Sequence, residues 1–204
     1  MSEVYTNGFN VHDHLKNNTL EELQEISTKD RLNFSVCLFN LDYDNNVGNC
    51  VRTAHIMGAK NVYIFGKHRF DSRSTVGCKN YTNIIRHTIP IDLSENDLRK
   101  EFNKMMVTNK IVPLFIEKTE NSISIDELPK WMNDDNFEYW YHYWDGSPNF
   151  TLVFGNENKG IPDSIGNNCH RFHIPQLGVI RSLNVASAAA IAMYEMNKYF
   201  SQHQ

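Results

Sequence analysis

The sequence predicts an α/β fold, a mostly parallel sheet flanked by helices, on three observations. Short apolar runs of strand length alternate with helical patterns along the chain. Those runs look like buried strands, as in a parallel sheet covered on both faces. One of them passes straight into a glycine-rich polar turn, which is where open α/β sheets bind ligands.

Each element can be justified in order. Residues 9–28 predict an amphipathic helix, with Leu15, Leu20, Leu23 and Ile26 set among polar neighbours. Val36–Leu41, Val62–Phe65, Ile111–Ile116 and Thr151–Phe154 predict buried strands, and residues 46–58, 94–108 and 182–200 predict helices. Residues 117–149 are the least regular part. Within them Tyr139, Tyr141 and Tyr143 alternate with Trp140, His142 and Trp144, which predicts a strand with two aromatic faces. Such rings stack on unpaired bases, although core or dimer packing is their more frequent use. At 204 residues, with no repeat, low-complexity tract or Pro/Gly/Ser linker, one domain is expected. Residues 1–30 would form a helical leader and 31–204 the domain proper.

Composition narrows the class. Hydrophobic residues make up 41% and charged residues 22%, ordinary for a soluble globular protein. No apolar run approaches the ~20 residues of a membrane helix, and the amino end lacks an export-signal pattern. Cys37, Cys50, Cys78 and Cys169 form no CxxC pair, so reduced thiols in the cytoplasm are expected, with no zinc or other metal. The net charge of −4 excludes whole-surface attraction to nucleic acid. Any RNA grip must be local, and Lys67, His68, Arg69, Arg73, Lys79 and Arg86 are the candidate patch. A solvated loop would have the same composition.

Three polar, glycine-bearing clusters carry the chemistry. The first, Asn45 to Ala54, follows a strand and opens a helix; either asparagine could be a cap, but Arg52 lies two turns into a helix that packs on a sheet. The second runs Gly155-Asn156-Glu157-Asn158-Lys159-Gly160-Ile161-Pro162. Its glycine spacing is superficially that of a phosphate loop, but Ile161-Pro162 stands where Lys and Ser/Thr are needed, and no G-x-G-x-x-G occurs anywhere. The third runs from Ile174-Pro175 through Gly178 to Ser182-Leu183-Asn184-Val185 and an alanine-rich helix. Ser182 suits a helix cap, while Asn184 in a first turn is unfavourable for propensity and invites a specific role.

In this order the clusters resemble the three signature motifs of the SpoU (TrmH-type) branch of the SPOUT RNA 2'-O-ribose methyltransferases: N-x-G-x-x-x-R-T, G-x-E-x-x-G and I-P-x-x-G-x-x-x-S-L-N-V. The similarity runs from about residue 34 to 200. It implies a SPOUT fold with a carboxyl-terminal deep trefoil knot, which base rates alone would never predict. It also implies S-adenosylmethionine as methyl donor, tRNA or rRNA as substrate, a homodimer whose interface completes the active site, and a minimal catalytic domain without further RNA-binding domains. The knot loops would be residues 116–118, 155–160 and 174–184. Carried over by position, Ile116, Gly155, Asn156, Gly160, Ile174, Gly178, Ser182 and Leu183 would bind the donor. Arg52, Asn46, Glu157, Ser182 and Asn184 would form the catalytic group, and Lys67, Arg69, Arg73 and Lys79 would touch RNA. In this scheme Glu157 orients Arg52 by a charge-assisted hydrogen bond. Because a guanidinium hardly deprotonates, Arg52 would clamp a phosphate or the nascent alkoxide rather than act as base. Asn158, Gln176 and Ala186 depart from residues frequent in the family and touch none of the five catalytic positions. A SPOUT-like fold that binds RNA without turnover, and a sister enzyme that methylates a base nitrogen, are the alternatives. A structural protein unrelated to RNA would leave the three clusters unexplained.

Overall fold

The computed structural model describes residues 10–29, 31–66, 70–90, 92–146, 148–166 and 169–203, with the side chains of 135–137 excepted. Those residues form a seven-stranded sheet in the order β3-β2-β1-β6-β4-β7-β5. The strands are β1 (Phe34–Phe39), β2 (Val62–Gly66), β3 (Ile84–Thr88), β4 (Ile111–Ile116), β5 (Ile123–Ser124), β6 (Asn149–Phe154) and β7 (His170–His173). Every pairing is parallel, as the alternation of strand and helix patterns predicts. Register in the centre sets Val36 beside Val62 on one side and Leu152 on the other.

Period-2 alternation sends each strand's side chains to two cores. Val36, Leu38, Leu152 and Phe154 join a large cluster with α2 (Asp44–Ile56) and α7 (Val185–Gln202). Cys37, Phe39 and Val153 face a second cluster with Phe102 and Met105 of α3 (Glu95–Thr108) and Ile165 of α6 (Asp163–Gly166). Full burial of each large strand residue is worth roughly 1.5–3 kcal/mol. Because all strands run the same way, the carboxyl ends of β1, β6, β4 and β7 open on one edge. That edge is where a ligand crevice belongs.

The amino-terminal segment differs from the predicted single helix. A 3-10 turn, Asp13–Leu15, precedes α1 (Leu20–Lys29). Thr19 Oγ1 accepts from Glu22 N at 3.2 Å while Glu22 Oε2 accepts from Thr19 N at 2.7 Å. This reciprocal capping box fixes the start of α1 at Leu20. Leu23 is buried in the large cluster, with Val11, Leu15 and Leu20 packed against it.

The aromatic segment is a helix rather than a strand. Residues 139–143 belong to α5 (Asp135–Tyr143), which follows α4 (Leu128–Asn133). Trp140 and Trp144, four residues apart and therefore on one helical face, pack against the large core. Tyr139, Tyr141 and Tyr143 are exposed. The tryptophan spacing, not the tyrosine alternation, decided the element.

A polar clamp ties α1 to α2. Arg31 Nη1 donates to the His55 carbonyl at 2.8 Å, Nη2 donates to Ser27 Oγ at 2.6 Å, and Nη2 also lies 2.8 Å from His55 Nδ1. A guanidinium only donates, so Nδ1 accepts and the single proton of the neutral ring sits on Nε2. Burial first, and the Arg31 charge second, drive the His55 pKa down from 6.5 to about 4. The unfolded chain therefore takes up a proton here that the folded chain refuses. The stability involved is complete above pH 6.5 and is lost as pH falls toward 4. We expect a loss of about 2 kcal/mol over that window, after allowance for partial exposure. Urea unfolding of wild type and His55→Gln at pH 7.5 and 4.5 checks this; equal losses in the two proteins would refute the assignment.

Candidate functional site

A cavity of about 680 Å³ lies at the carboxyl ends of the central strands. Four segments surround it: the start of α2, the end of β4, the turn after β6, and the stretch joining β7 to α7. Of the predicted donor-binding residues, Ile116, Gly155, Asn156, Gly160, Ile174, Ser182 and Leu183 line it. Gly178 does not; a Cβ there would meet nothing within 4 Å, because Leu177, Val179 and Ile180 carry the loop into solvent.

The turn after β6 is held from within. Asn156 and Gly160 exchange backbone hydrogen bonds at 3.1 and 2.8 Å, and Asn156 Oδ1 accepts from Asn158 N and Lys159 N at 3.0 Å each. Asn156 Nδ2 donates to the Asn40 carbonyl at 2.7 Å, anchoring the turn to the end of β1. Gly155 must be glycine, since a Cβ would lie 2.5 Å from the Gly160 carbonyl carbon and 2.7 Å from its oxygen. On the far side Glu117 Oε1 accepts from Ile161 N at 3.0 Å, and Glu117 Oε2 stands 3.4 Å from Arg171 Nε.

Four of the five predicted catalytic residues border the cavity: Asn46, Glu157, Ser182 and Asn184. Three are hydrogen-bonded in a row. Glu157 Oε1 accepts from Asn46 Nδ2 at 2.8 Å, and Asn46 Oδ1 accepts from Asn184 Nδ2 at 3.0 Å. Asn184 Oδ1 in turn accepts from Ala186 N at 2.9 Å. Asn184 is thus the N-cap of α7, not a member of its first turn, which removes the propensity objection. Ser182, the expected cap, lies two residues before Asn184 and three before the helix.

Arg52 departs from the expected arrangement. Glu157 Oε2 accepts from Asp42 N at 2.8 Å, so the carboxylate is taken up by a backbone amide and Asn46 rather than by Arg52. Arg52 instead borders a second cavity, beside Cys78 and His55. Its position six residues after Asn46, more than one and a half helical turns, rotates it off the first cavity's wall. Gly48, between them, lets the 3-10 turn Ser72–Thr75 press against α2; a Cβ there would overlap Ser74 Oγ. Cys50 is held up at about 12 by burial and by the charge of Glu157, so its thiol packs and does not react.

The predicted basic patch is only partly visible. Lys67 and Arg69, with His68, lie outside the described residues. Arg73 Nε donates to Asp71 Oδ2 at 2.6 Å, and Lys79 Nζ donates to Ser72 Oγ at 2.6 Å. Neither lines the first cavity. Arg86 lies over the Phe70 ring, 5.4 Å from its centroid. Tyr43 and His173 border the first cavity from outside the named clusters, and Lys118, Lys159 and Arg181 border it from within the predicted knot loops without having been given a role. Each lies within a few residues of a strand end or of a named cluster, the one signal that could have found them. No described helix is long and apolar enough to cross a membrane.

The profile of a family described as the SpoU rRNA Methylase family matches residues 33–194. A Staphylococcus epidermidis protein named for the TrmH family of tRNA/rRNA methyltransferases is 27% identical over 90% of this chain and 65% of its own length. The chain thus spans a little under two thirds of that relative. The A. aeolicus TrmH/SpoU tRNA modifying enzyme superposes with TM-score 0.67 at 20% identity, over 90% of this chain and 83% of the other. An AdoMet-bound rRNA methyltransferase from Sinorhizobium meliloti gives TM-score 0.62 at 21% identity, over 87% and 60%.

Proposed function

The chain belongs to the SpoU rRNA Methylase family, and from that premise we propose that it transfers a methyl group from S-adenosylmethionine to a ribose 2'-hydroxyl of tRNA or rRNA. The observation that carries the reading is the Glu157–Asn46–Asn184 row, which ties three sequence-distant loops into one wall of the first cavity. The cavity suits a nucleoside-sized donor in volume. Gly155 keeps the turn narrow where it borders the cavity, since a Cβ there would meet the Gly160 carbonyl.

When bound, S-adenosylmethionine supplies a methyl group already activated on a cationic sulfonium. The chain's residues do the rest. Ile116, Ile174 and Leu183 enclose the nucleoside, and Glu157 sets a carboxylate on a wall that also carries Lys118, Lys159 and Arg181, while Glu117 is paired with Arg171. Asn46 and Asn184 hold the loops in register, so the acceptor ribose meets a fixed geometry. The 2'-hydroxyl would give its proton to a neighbouring phosphate or to water as its oxygen takes the methyl and the donor's carbon–sulfur bond breaks, leaving a neutral thioether. Arg52 holds that phosphate or the developing alkoxide.

Because Arg52 faces away from the donor cavity of its own chain, the proposal includes a homodimer in which Arg52 of one copy serves the cavity of the other. Leu177, Val179 and Ile180 beside the cavity, and Ile191 and Tyr194 on α7, are exposed apolar residues that suit such an interface. It also includes residues 31–204 as the methyltransferase domain, a cytoplasmic location, and the deep trefoil knot; the loops that would make the knot converge on one cavity.

The test is to map 2'-O-methyl groups in total RNA from cells with and without the protein, by protection from alkaline cleavage. A nucleotide protected only when the protein is present is the expected result. Label from the donor found on a base supports the base-nitrogen alternative. No label transferred at all supports binding without turnover.

A further inference from the structure

Helix α5 turns Trp140 and Trp144 toward the large core and leaves Tyr139 and Tyr143 outside, each 59% exposed. The two tyrosines are four residues apart, so their rings share one side of the helix. They lie nearly parallel, with centroids 6.1 Å apart and planes 22° apart. Both are braced by the tryptophans. Tyr139 meets Trp140 edge to face at 5.1 Å, and Tyr143 meets Trp140 at 5.5 Å and Trp144 at 4.9 Å in the same way. Rings held in this manner are preorganised, so a partner that lies on them orders little side-chain freedom. The tryptophans already supply the helix's contact with the core. The outward rings are area that only a partner would bury.

Charge says what that partner is. Residues 126–145 carry Asp126, Glu127, Asp134, Asp135, Glu138 and Asp145 against one cation, Lys130, a net of −5 in a chain whose total is −4. The rest of the chain is therefore +1, and the acidity of the protein is the acidity of this segment. Asp134 and Asp145 flank α5 and are exposed, as is Glu138, which stands 3.7 Å from His142 Nε2. Such a field repels phosphate, which removes unpaired bases as the partner of the rings. A guanidinium fits instead. Its plane stacks on a ring face, and its fork of donors takes a carboxylate through two hydrogen bonds. No residue of α4 or α5 lines either cavity described above.

We propose that the outward side of α5 docks an arginine-rich segment of another protein, with guanidinium groups on the Tyr139 and Tyr143 rings and paired to Glu138 and Asp145. The donor cavity stays open beneath such a partner. Under the RNA reading above, a basic protein held here supplies the attraction to phosphate that a chain of net charge −4 lacks. The docking itself does not rest on that reading.

Binding is measured by calorimetry with the full chain and no methyl donor, so failure here and failure of methyl transfer are separate results. The probes are nona-arginine, nona-lysine and an unstructured uridylate heptamer. Nona-arginine should bind, less tightly as salt rises, and nona-lysine at least about threefold more weakly. Tyr139→Ala with Tyr143→Ala should weaken nona-arginine about tenfold, the loss of two cation–π contacts. Glu138→Gln with Asp145→Asn should weaken it by a similar factor. Glu95→Gln with Glu120→Gln removes the same charge at exposed positions outside the acidic segment, and should change affinity by less than about twofold. Absence of nona-arginine binding, equal affinity in wild type and the double tyrosine variant, or an equal loss in the Glu95 and Glu120 variant overturns the proposal. Heptamer binding that disappears with the tyrosines overturns it in favour of RNA. A dimer that dissociates in the tyrosine variant overturns it in favour of a second copy.

Discussion

Arg52→Lys should lower the rate of methyl transfer by about 10²- to 10³-fold while leaving donor affinity unchanged. The rate loss follows from geometry. A guanidinium presents a planar fork of donors to a phosphate or alkoxide, and an ammonium on a flexible stem does not. Removing one preorganised donor from a developing oxyanion costs on this order. Donor affinity should hold because Arg52 lies outside the cavity that takes the donor. Single-turnover rates and donor calorimetry on the same preparation separate the two effects. Full activity in the Arg52→Lys variant would remove any role for the fork, and a loss of donor affinity would mean the cavities are misassigned. Mixing adds a sharper arm. Co-expressed with a chain defective only in its donor cavity, Arg52→Lys should recover about a quarter of wild-type activity. Half the dimers are then mixed, and each has one intact composite site. No recovery would show that arginine and cavity act within one chain.

Gly155→Ala should weaken donor binding by at least about 100-fold and cost roughly 1–3 kcal/mol of stability, the range for forcing atoms into a packed site. The added carbon meets backbone, not a flexible side-chain tip: the Gly160 carbonyl carbon at 2.5 Å and its oxygen at 2.7 Å. The Asn156–Gly160 pairing must open, and with it the Asn156 bonds that hold Asn158 and Lys159. Calorimetric donor titration and thermal unfolding read the two effects. If affinity survives while stability falls, the turn shapes the fold but not the ligand cradle.

The sheet was legible because its central strands are apolar runs of strand length. β7 and β3 were not. Only Phe172 of β7 is buried, so His170–His173 has no strand signature, and the edge strand Ile84–Thr88 is mostly half-buried. At the site, Asn46 and Glu157 are found through the three-motif resemblance, carried over by position, and only Asn184 stands out from the residues themselves, as a poor helix former in an expected first turn. The direction of Arg52 could be read from neither. It depends on helical phase relative to two cavities, a tertiary property that no local spacing records. Asn184 as cap moves the start of α7 from the predicted 182 to 185, whereas the capping box at Thr19 and Glu22 starts α1 eleven residues after the predicted position.

The place of β6 in the sheet governs how the chain must be made. It sits between β1 and β4, yet roughly three quarters of the protein has left the ribosome before it emerges. Until then, the two strands that will flank it have no shared neighbour and leave apolar edges open. Parallel pairing across such separations closes long loops before any contact rewards them. Nascent chains should therefore depend on chaperone protection until this last central strand arrives, and synthesis that stalls before residue 149 should yield aggregate rather than a partial fold.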